Sequence, residues 1–200
     1  MRAFICGVAG TRLTRDERRA LADLQPWGAI LFARNVADLR QVRRLTADIR
    51  EALDRPDAPI LIDQEGGRVQ RIGPPHLPAY PAAAIFGALY SQSPLLAAEA
   101  ARLGARLIGM DLYGLGITVD CLPVLDMPAA GSDPVISDRA YGTDVESVAT
   151  LGAAAADGLL SAGVLPVMKH LPGHGRATVD SHEALPVVDA PLDELAVSDF

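Results

Sequence analysis

Short apolar runs of strand length alternate along the chain with longer stretches whose apolar positions recur every three or four residues. Residues 3–8 (AFICGV), 28–32 (GAILF), 59–62 (PILI), 117–125 (ITVDCLPVL) and 164–168 (VLPVM) read as five strands. Thr14-Arg15-Asp16-Glu17 has the form of a capping box, in which threonine and glutamate satisfy the orphan amides of a helix start. It predicts a helix running to about Leu24, ahead of Pro26. Leu39, Val42, Leu45, Ile49 and Leu53 predict an amphipathic helix over 37–53, with arginines on its other face. A Pro- and Gly-rich connection (GPPHLPAYP) leads to an alanine-rich helix over about 94–111. Thr143-x-x-Glu146, a second capping box, opens a helix reaching about Ser161, and a further helix begins within 191–200.

Strand alternating with helix, without a hairpin signal, predicts a parallel sheet whose helices cover its faces. An open doubly wound sheet would carry a glycine-rich phosphate turn after its first strand, and GVAGTRLT lacks the G-x-G-x-x-G spacing. A barrel is favoured by where the polar residues fall. Asp63, Asp126 and the pair Lys169-His170 each stand just after an apolar strand, at the end where barrels place their active sites. The expected fold is therefore α/β, a TIM-like (β/α)8 barrel. Residues 1–200 are expected to form the N-terminal part of this single domain, its first five βα units, with the barrel cut short.

Half the residues are apolar and 22% are charged, which supports a packed core rather than a disordered chain. Net charge is −7, from 18 basic against 25 acidic residues, and argues against nucleic acid or an anionic membrane as partner. No apolar run approaches the ~20 residues of a membrane span, and MRAFICGVAG followed by TRLTRDERR does not read as a signal peptide. The expectation is a cytoplasmic protein. Cys6 and Cys121 sit in apolar runs and read as two buried, reduced thiols rather than a disulfide. Every basic residue is arginine except Lys169, which stands beside His170, His174 and His182, three of the four histidines.

That cluster, KHLPGHGRATVDSHEALP over 169–186, forms a polar loop leaving the fifth strand. His170 and His174 have the spacing of two metal ligands on one helix face, but Pro172 and Gly173 between them break a helix, and the metal reading is set aside. Asp180-x-His182 has two readings. The carboxylate could orient the imidazole as a proton donor, or the two could form a hydrogen bond that merely closes a loop. A second constellation is LIDQEGGRVQRI, residues 61–72. Its paired carboxylates, Asp63 and Glu65, suit glycoside chemistry and equally suit hydrogen bonding to sugar hydroxyls. Gly66-Gly67 permits a tight turn, and Arg68 or Arg71 could neutralise Glu65, the reading preferred for Arg68.

DQEGGRVQR, VISDRAYG (135–142), KHLPGHG and DSH (180–182), in that order along the whole chain, resemble family 3 glycoside hydrolases. Within that family the pattern is similar to the bacterial cytoplasmic β-N-acetylhexosaminidases of peptidoglycan recycling. The resemblance implies a retaining double displacement with no cofactor and no metal. Its carbohydrate substrate would be a terminal non-reducing β-linked N-acetylglucosamine, released from 1,6-anhydro-N-acetylmuramic acid or its peptide-bearing forms. Asp63, Arg71, Arg139, Lys169 and His170 would bind the sugar, His182 would be the general acid/base and Asp180 its partner. The nucleophile would be an aspartate after a later strand, past residue 200, so that this chain alone is expected to be inactive. Asp126 is expected to hydrogen-bond within the barrel mouth, the 172–182 loop to move, and the protein to be a monomer without an exposed apolar stripe. Three alternatives stand beside this: a family 3 β-glucosidase-like hydrolase, which would not be expected to carry DSH; a non-catalytic sugar-binding protein; and a metal-dependent hydrolase using His170, His174 and His182.

Overall fold

The computed structural model describes residues 1–199. Strand β1 (Arg2–Gly7), helix α1 (Arg15–Leu24), β2 (Pro26–Leu31), α2 (Leu39–Leu53) and β3 (Ile60–Ile62) follow one another as expected. The Thr14–Glu17 capping box forms in full: Glu17 N donates to Thr14 Oγ1 at 3.1 Å, and Thr14 N donates back to Glu17 Oε2 at 2.8 Å. Asp38 caps α2 by accepting from Gln41 N, so that helix starts at Leu39 rather than 37.

Beyond β3 the chain departs from the expected pattern in several places. Gln64–Gly66 (β4) and Val69–Gln70 (β5) form an antiparallel hairpin where no hairpin was expected. Its turn depends on Gly66 and Gly67, with φ of +90° and +57°, a region that residues with a Cβ rarely enter. A helix α3 (Ala83–Tyr90, AAIFGALY) also interrupts the connection, and α4 (Pro94–Tyr113) follows. The α3 segment is apolar nearly all round, so no amphipathic period marks it. The fourth and fifth strands contract to β6 (Val119–Asp120) and β7 (Leu165–Pro166), extended only by a bridge between Val124 and Lys169. Helix α5 (Val145–Ser161) is capped by Asp144, not Thr143: Ser147 N donates to Asp144 Oδ1 at 2.9 Å, and the Ser147 hydroxyl donates to Oδ2 at 2.6 Å. Helix α6 spans Leu192–Ser198, and the expected continuation to residue 200 lies outside the described residues.

The five main strands form one parallel sheet in the order β1-β2-β3-β6-β7. On its helix-covered face Ala29, Leu31, Ile60 and Ile62 join Val42, Leu45, Ile49 and Leu53 of α2 in a single fully buried core. On the other face Gly7, Ile30, Leu61, Val119 and Leu165 stand side by side in one row across all five strands. Two residues further along, on the same face by the strand period of two, come Asp63, Cys121 and Val167, and one step beyond them Lys169. The register thus carries the site residues to the C-terminal end of the sheet. Neither cysteine is fully buried as expected; both are half-buried free thiols.

Candidate active site

Asp63 leaves the end of β3, and Glu65 follows in β4, almost wholly buried. Three cations converge on this pair. Lys169 Nζ lies 2.8 Å from Asp63 Oδ1 and 2.6 Å from Glu65 Oε1. Arg139 grips Glu65 bidentately, with Nε and Nη2 each donating at 2.8 Å, and Arg71 Nη2 donates to Asp63 Oδ2 at 3.1 Å. A planar guanidinium fits a carboxylate in this two-pronged way, which fixes direction as well as charge. Burial pushes the Asp63 carboxyl up, but the charge and hydrogen bond of Lys169, with those of Arg71, hold it below the ordinary carboxylate range. Burial likewise lowers Lys169, and Glu65 and Asp63 more than reverse that, leaving the ammonium above its ordinary value.

A second carboxylate, Asp126, organises the start of the histidine loop. Its Oδ2 accepts from His170 Nδ1 at 2.6 Å and its Oδ1 from the His174 backbone N–H at 2.6 Å. Burial raises this carboxyl, and the bonds from His170 and His174 bring it below the ordinary range. His170 presents its Nε2 toward Arg139 Nη2, 3.5 Å away. The first half of the loop is laid against residues 127–133 by two backbone bonds, from Ala129 N to Gly175 O and from Asp133 N to Ala177 O, both 2.8 Å. Gly175 is required here, since a Cβ would collide with the Met127 carbonyl.

Past Ala177 the loop carries Asp180 and His182. Asp180 Oδ1 accepts from the His182 backbone N–H at 2.9 Å and lies 2.7 Å from His182 Nδ1. These bonds, the backbone one first, hold Asp180 below the ordinary carboxylate range. An ionised carboxylate only accepts, so Nδ1 carries the proton and Nε2 is left to exchange one with a ligand. The His182 side chain is 85% exposed.

The seven residues to which the resemblance gives a role, Asp63, Arg71, Arg139, Lys169, His170, Asp180 and His182, line one cleft of about 520 Å³, together with Arg68, Cys121 and His174. Arg68 does not neutralise Glu65. It pairs with Asp138 at 2.8 Å and donates to the carbonyls of Pro134, Val135 and Ile136, bracing the loop that delivers Arg139. The arginine that pairs with Glu65 is Arg139, 74 positions away, which no local spacing could indicate. Cys121 also escaped notice as a lining residue, although its place two positions after Val119 in the Asp63 row marks it. Burial foremost, then Asp63, pushes its thiol up to about 12, so it stays protonated at neutral pH. Beneath the cleft Asp120 is fully buried, accepts from Gln64 N at 3.0 Å, and is driven well above the ordinary carboxylate range by burial.

His170 and His174 meet edge to face with ring centroids 6.1 Å apart. Among the described residues no group of three or more His, Cys, Asp or Glu is arranged to hold a metal ion, and no helix is long and apolar enough to cross a membrane.

Comparison with known proteins matches this arrangement to one family. Two curated relatives, both named beta-hexosaminidase, come from Bordetella parapertussis and Xanthomonas campestris. They are 40% identical over 192 residues and 38% identical over 197 residues, and cover 96% and 98% of this chain. The chain spans about half the length of these relatives, 54% and 58%. Among solved structures, NagZ from Neisseria gonorrhoeae in complex with N-trifluoroacetyl-D-glucosamine superposes with a TM-score of 0.89 at 36% identity, over 98% of this chain and 57% of that one. A family 3 β-N-acetylglucosaminidase from Paenibacillus gives 0.88 at 35% identity, over 98% of this chain and 36% of its own length. The pattern of the glycosyl hydrolase family 3 N-terminal domain runs through residues 5–200, and with it the five-stranded parallel fold and the charged cleft find their place: the chain belongs to glycosyl hydrolase family 3.

Proposed function

We propose that the full-length protein is a retaining exo-β-N-acetylglucosaminidase acting on muropeptide fragments, with its site of action in the cytoplasm. Asp63, Arg71, Arg139, Lys169 and His170 hold the non-reducing N-acetylglucosamine, and His182 with Asp180 moves the protons. The observation that carries this reading is the division of labour among the cleft's titratable groups. Asp63 and Glu65 are each shared between two cations, so neither is a proton donor. His182 is open to the cleft with one ring nitrogen committed to Asp180 and the other uncommitted among the described residues.

In the first step the attacking carboxylate forms a bond to the anomeric carbon while the bond to the glycosidic oxygen breaks and His182 Nε2–H protonates that oxygen. In the second, His182 takes a proton from water as its oxygen attacks the same carbon, and the carboxylate leaves. The resemblance assigns the attacking carboxylate to an aspartate on a later strand of the barrel than those described. Asp126, occupied by His170 and His174, does not serve. Imidazoles as a class titrate near neutrality, which lets one group serve both steps without the burial that a carboxylic acid would need.

The test is turnover of a chromogenic β-N-acetylglucosaminide by the full-length gene product and by its His182→Ala variant. Turnover by the wild type with a loss of about 10²–10⁴-fold in the variant is the expected result. A variant that keeps its rate would reduce Asp180–His182 to a structural pair. A folded wild type that binds N-acetylglucosamine without turnover would make the protein a sugar binder.

A further inference from the structure

Helix α4 lies between α3 and α5 and buries Ala97, Ala101, Ala105, Ile108 and Leu112. Its opposite face does not turn polar as the outer face of a covered helix should. Leu95, Leu96, Leu103, Leu107, Met110 and Tyr113 are between 44 and 86% exposed. At 100° per residue Leu96, Leu103, Leu107 and Met110 fall within about 60° of one another, a stripe about 20 Å long at 1.5 Å per residue. Glu99 and Arg106 run along one flank of that stripe, with Leu95 and Tyr113 just outside them. This is the exposed apolar stripe that the expectation of a monomer assumed to be absent, and a contiguous patch of this kind marks an interaction surface.

The order of residues on the stripe identifies what covers it. When a second copy of α4 is laid antiparallel across the first about a two-fold axis at Leu103, position i meets position 206 − i. Leu96 then meets Met110 of the other copy and Leu103 meets itself, while Leu107 lies one residue's rise from Ala100 and Leu95 two from Tyr113. A two-fold perpendicular to the plane of the helices brings like flanks together. Glu99 of each copy therefore lies one residue's rise from Arg106 of the other, and this pair forms twice. Arg106 has no ion-pair partner among the described residues, while Glu99 is held in place by Arg102 of its own helix. Apolar side chains face one another along the centre of the stripe and acid lies next to base on its flank, the self-complementarity that a two-fold interface requires. We infer that the α4 face is a homodimer interface in which two copies of this chain pair antiparallel through Leu96, Leu103, Leu107 and Met110. This face lies on the helical layer, away from the cleft, and the inference does not rest on the proposed activity.

The test is the mass of the full-length gene product by sedimentation or light scattering, with circular dichroism as the check of folding. A dimer is expected, converted to a folded monomer by Leu103→Glu. Arg106→Glu, which sets acid against acid twice, should raise the dissociation constant at least about tenfold, and Glu99→Arg/Arg106→Glu should recover it. A wild type that is monomeric at every concentration would overturn the inference, as would a dimer indifferent to Leu103→Glu. Failure of the double reversal to recover what Arg106→Glu loses would overturn the antiparallel pairing. Binding of an added segment or a different protein at the stripe of a monomeric wild type would assign the face to that partner instead.

Discussion

The two halves of the cleft are built on opposite plans. Around Asp63 and Glu65, three cations and two carboxylates interlock through five short contacts on side chains that are mostly buried, each group constrained by at least one other. Around His182, a single carboxylate two residues away is the whole support among the described residues, and the imidazole stands in solvent. A group that must recognise the same hydroxyls in every state gains from being fixed in advance, because ordering costs are then met in folding rather than in binding. A group that must give a proton, take one back and let product leave gains from freedom of position.

The contrast is broken most severely by removing its centre. Glu65→Ala would leave Arg139 and Lys169 facing each other without their shared carboxylate. Loss of one partner from such a buried set costs about 3–5 kcal/mol, so a fall in the midpoint of thermal or denaturant unfolding is expected, with sugar binding abolished. On the exposed side Asp180→Asn should leave the unfolding midpoint unchanged and lower kcat by about a hundredfold, with little change in affinity for N-acetylglucosamine. If instead the two variants lose stability alike, the distinction between a built half and a free half fails.

Dependence on pH sharpens the same contrast. Asp63 and Asp126 are held below the unfolded carboxylate value of about 3.9, so their stabilisation is complete above that pH and is lost as pH falls through the lower folded values. Lys169 is held above the unfolded value of about 10.4, so its contribution is complete below that pH and is lost only as pH rises through the higher folded value. The stability these three groups contribute should therefore be flat from about pH 5 to 9 when followed by denaturant unfolding. Hydrogen exchange offers a quieter comparison, with amides of 178–184 exchanging well before those of the sheet, and sugar slowing them. The smallest effect is expected from Arg68→Ala, whose half-exposed ion pair with Asp138 is worth under about 1 kcal/mol and whose loss should raise KM modestly by loosening the loop under Arg139.

Much of this was legible in the sequence because strands announce their own ends. An apolar run that stops at Asp63 or Lys169 marks a C-terminal strand end, and α1 and α2 showed themselves through a cap and a period. The parts that stayed hidden depend on distant partners or on the absence of contrast. The apolar segment AAIFGALY gives no period from which to read α3, and Asp144 beats Thr143 as a cap only because of where Ser147 comes to lie. Glu65 could be given the wrong arginine because Arg68 is near in sequence while Arg139 is near in space. The role expected for Arg139 came from family likeness alone; what folding shows is its two-pronged pairing with Glu65.

The two backbone bonds that seat Gly175 and Ala177 on the neighbouring loop make the histidine segment a tether with a fixed anchor. From that anchor His182 is five residues away, so its backbone sweeps a radius of at most about 17 Å. The anchor lies between His182 and the pair His170 and His174, whose bonds to Asp126 are separate from it. If His182 delivers the proton as proposed, lengthening or shortening the stretch between Ala177 and Asp180 by one residue should lower kcat while leaving affinity for N-acetylglucosamine as before.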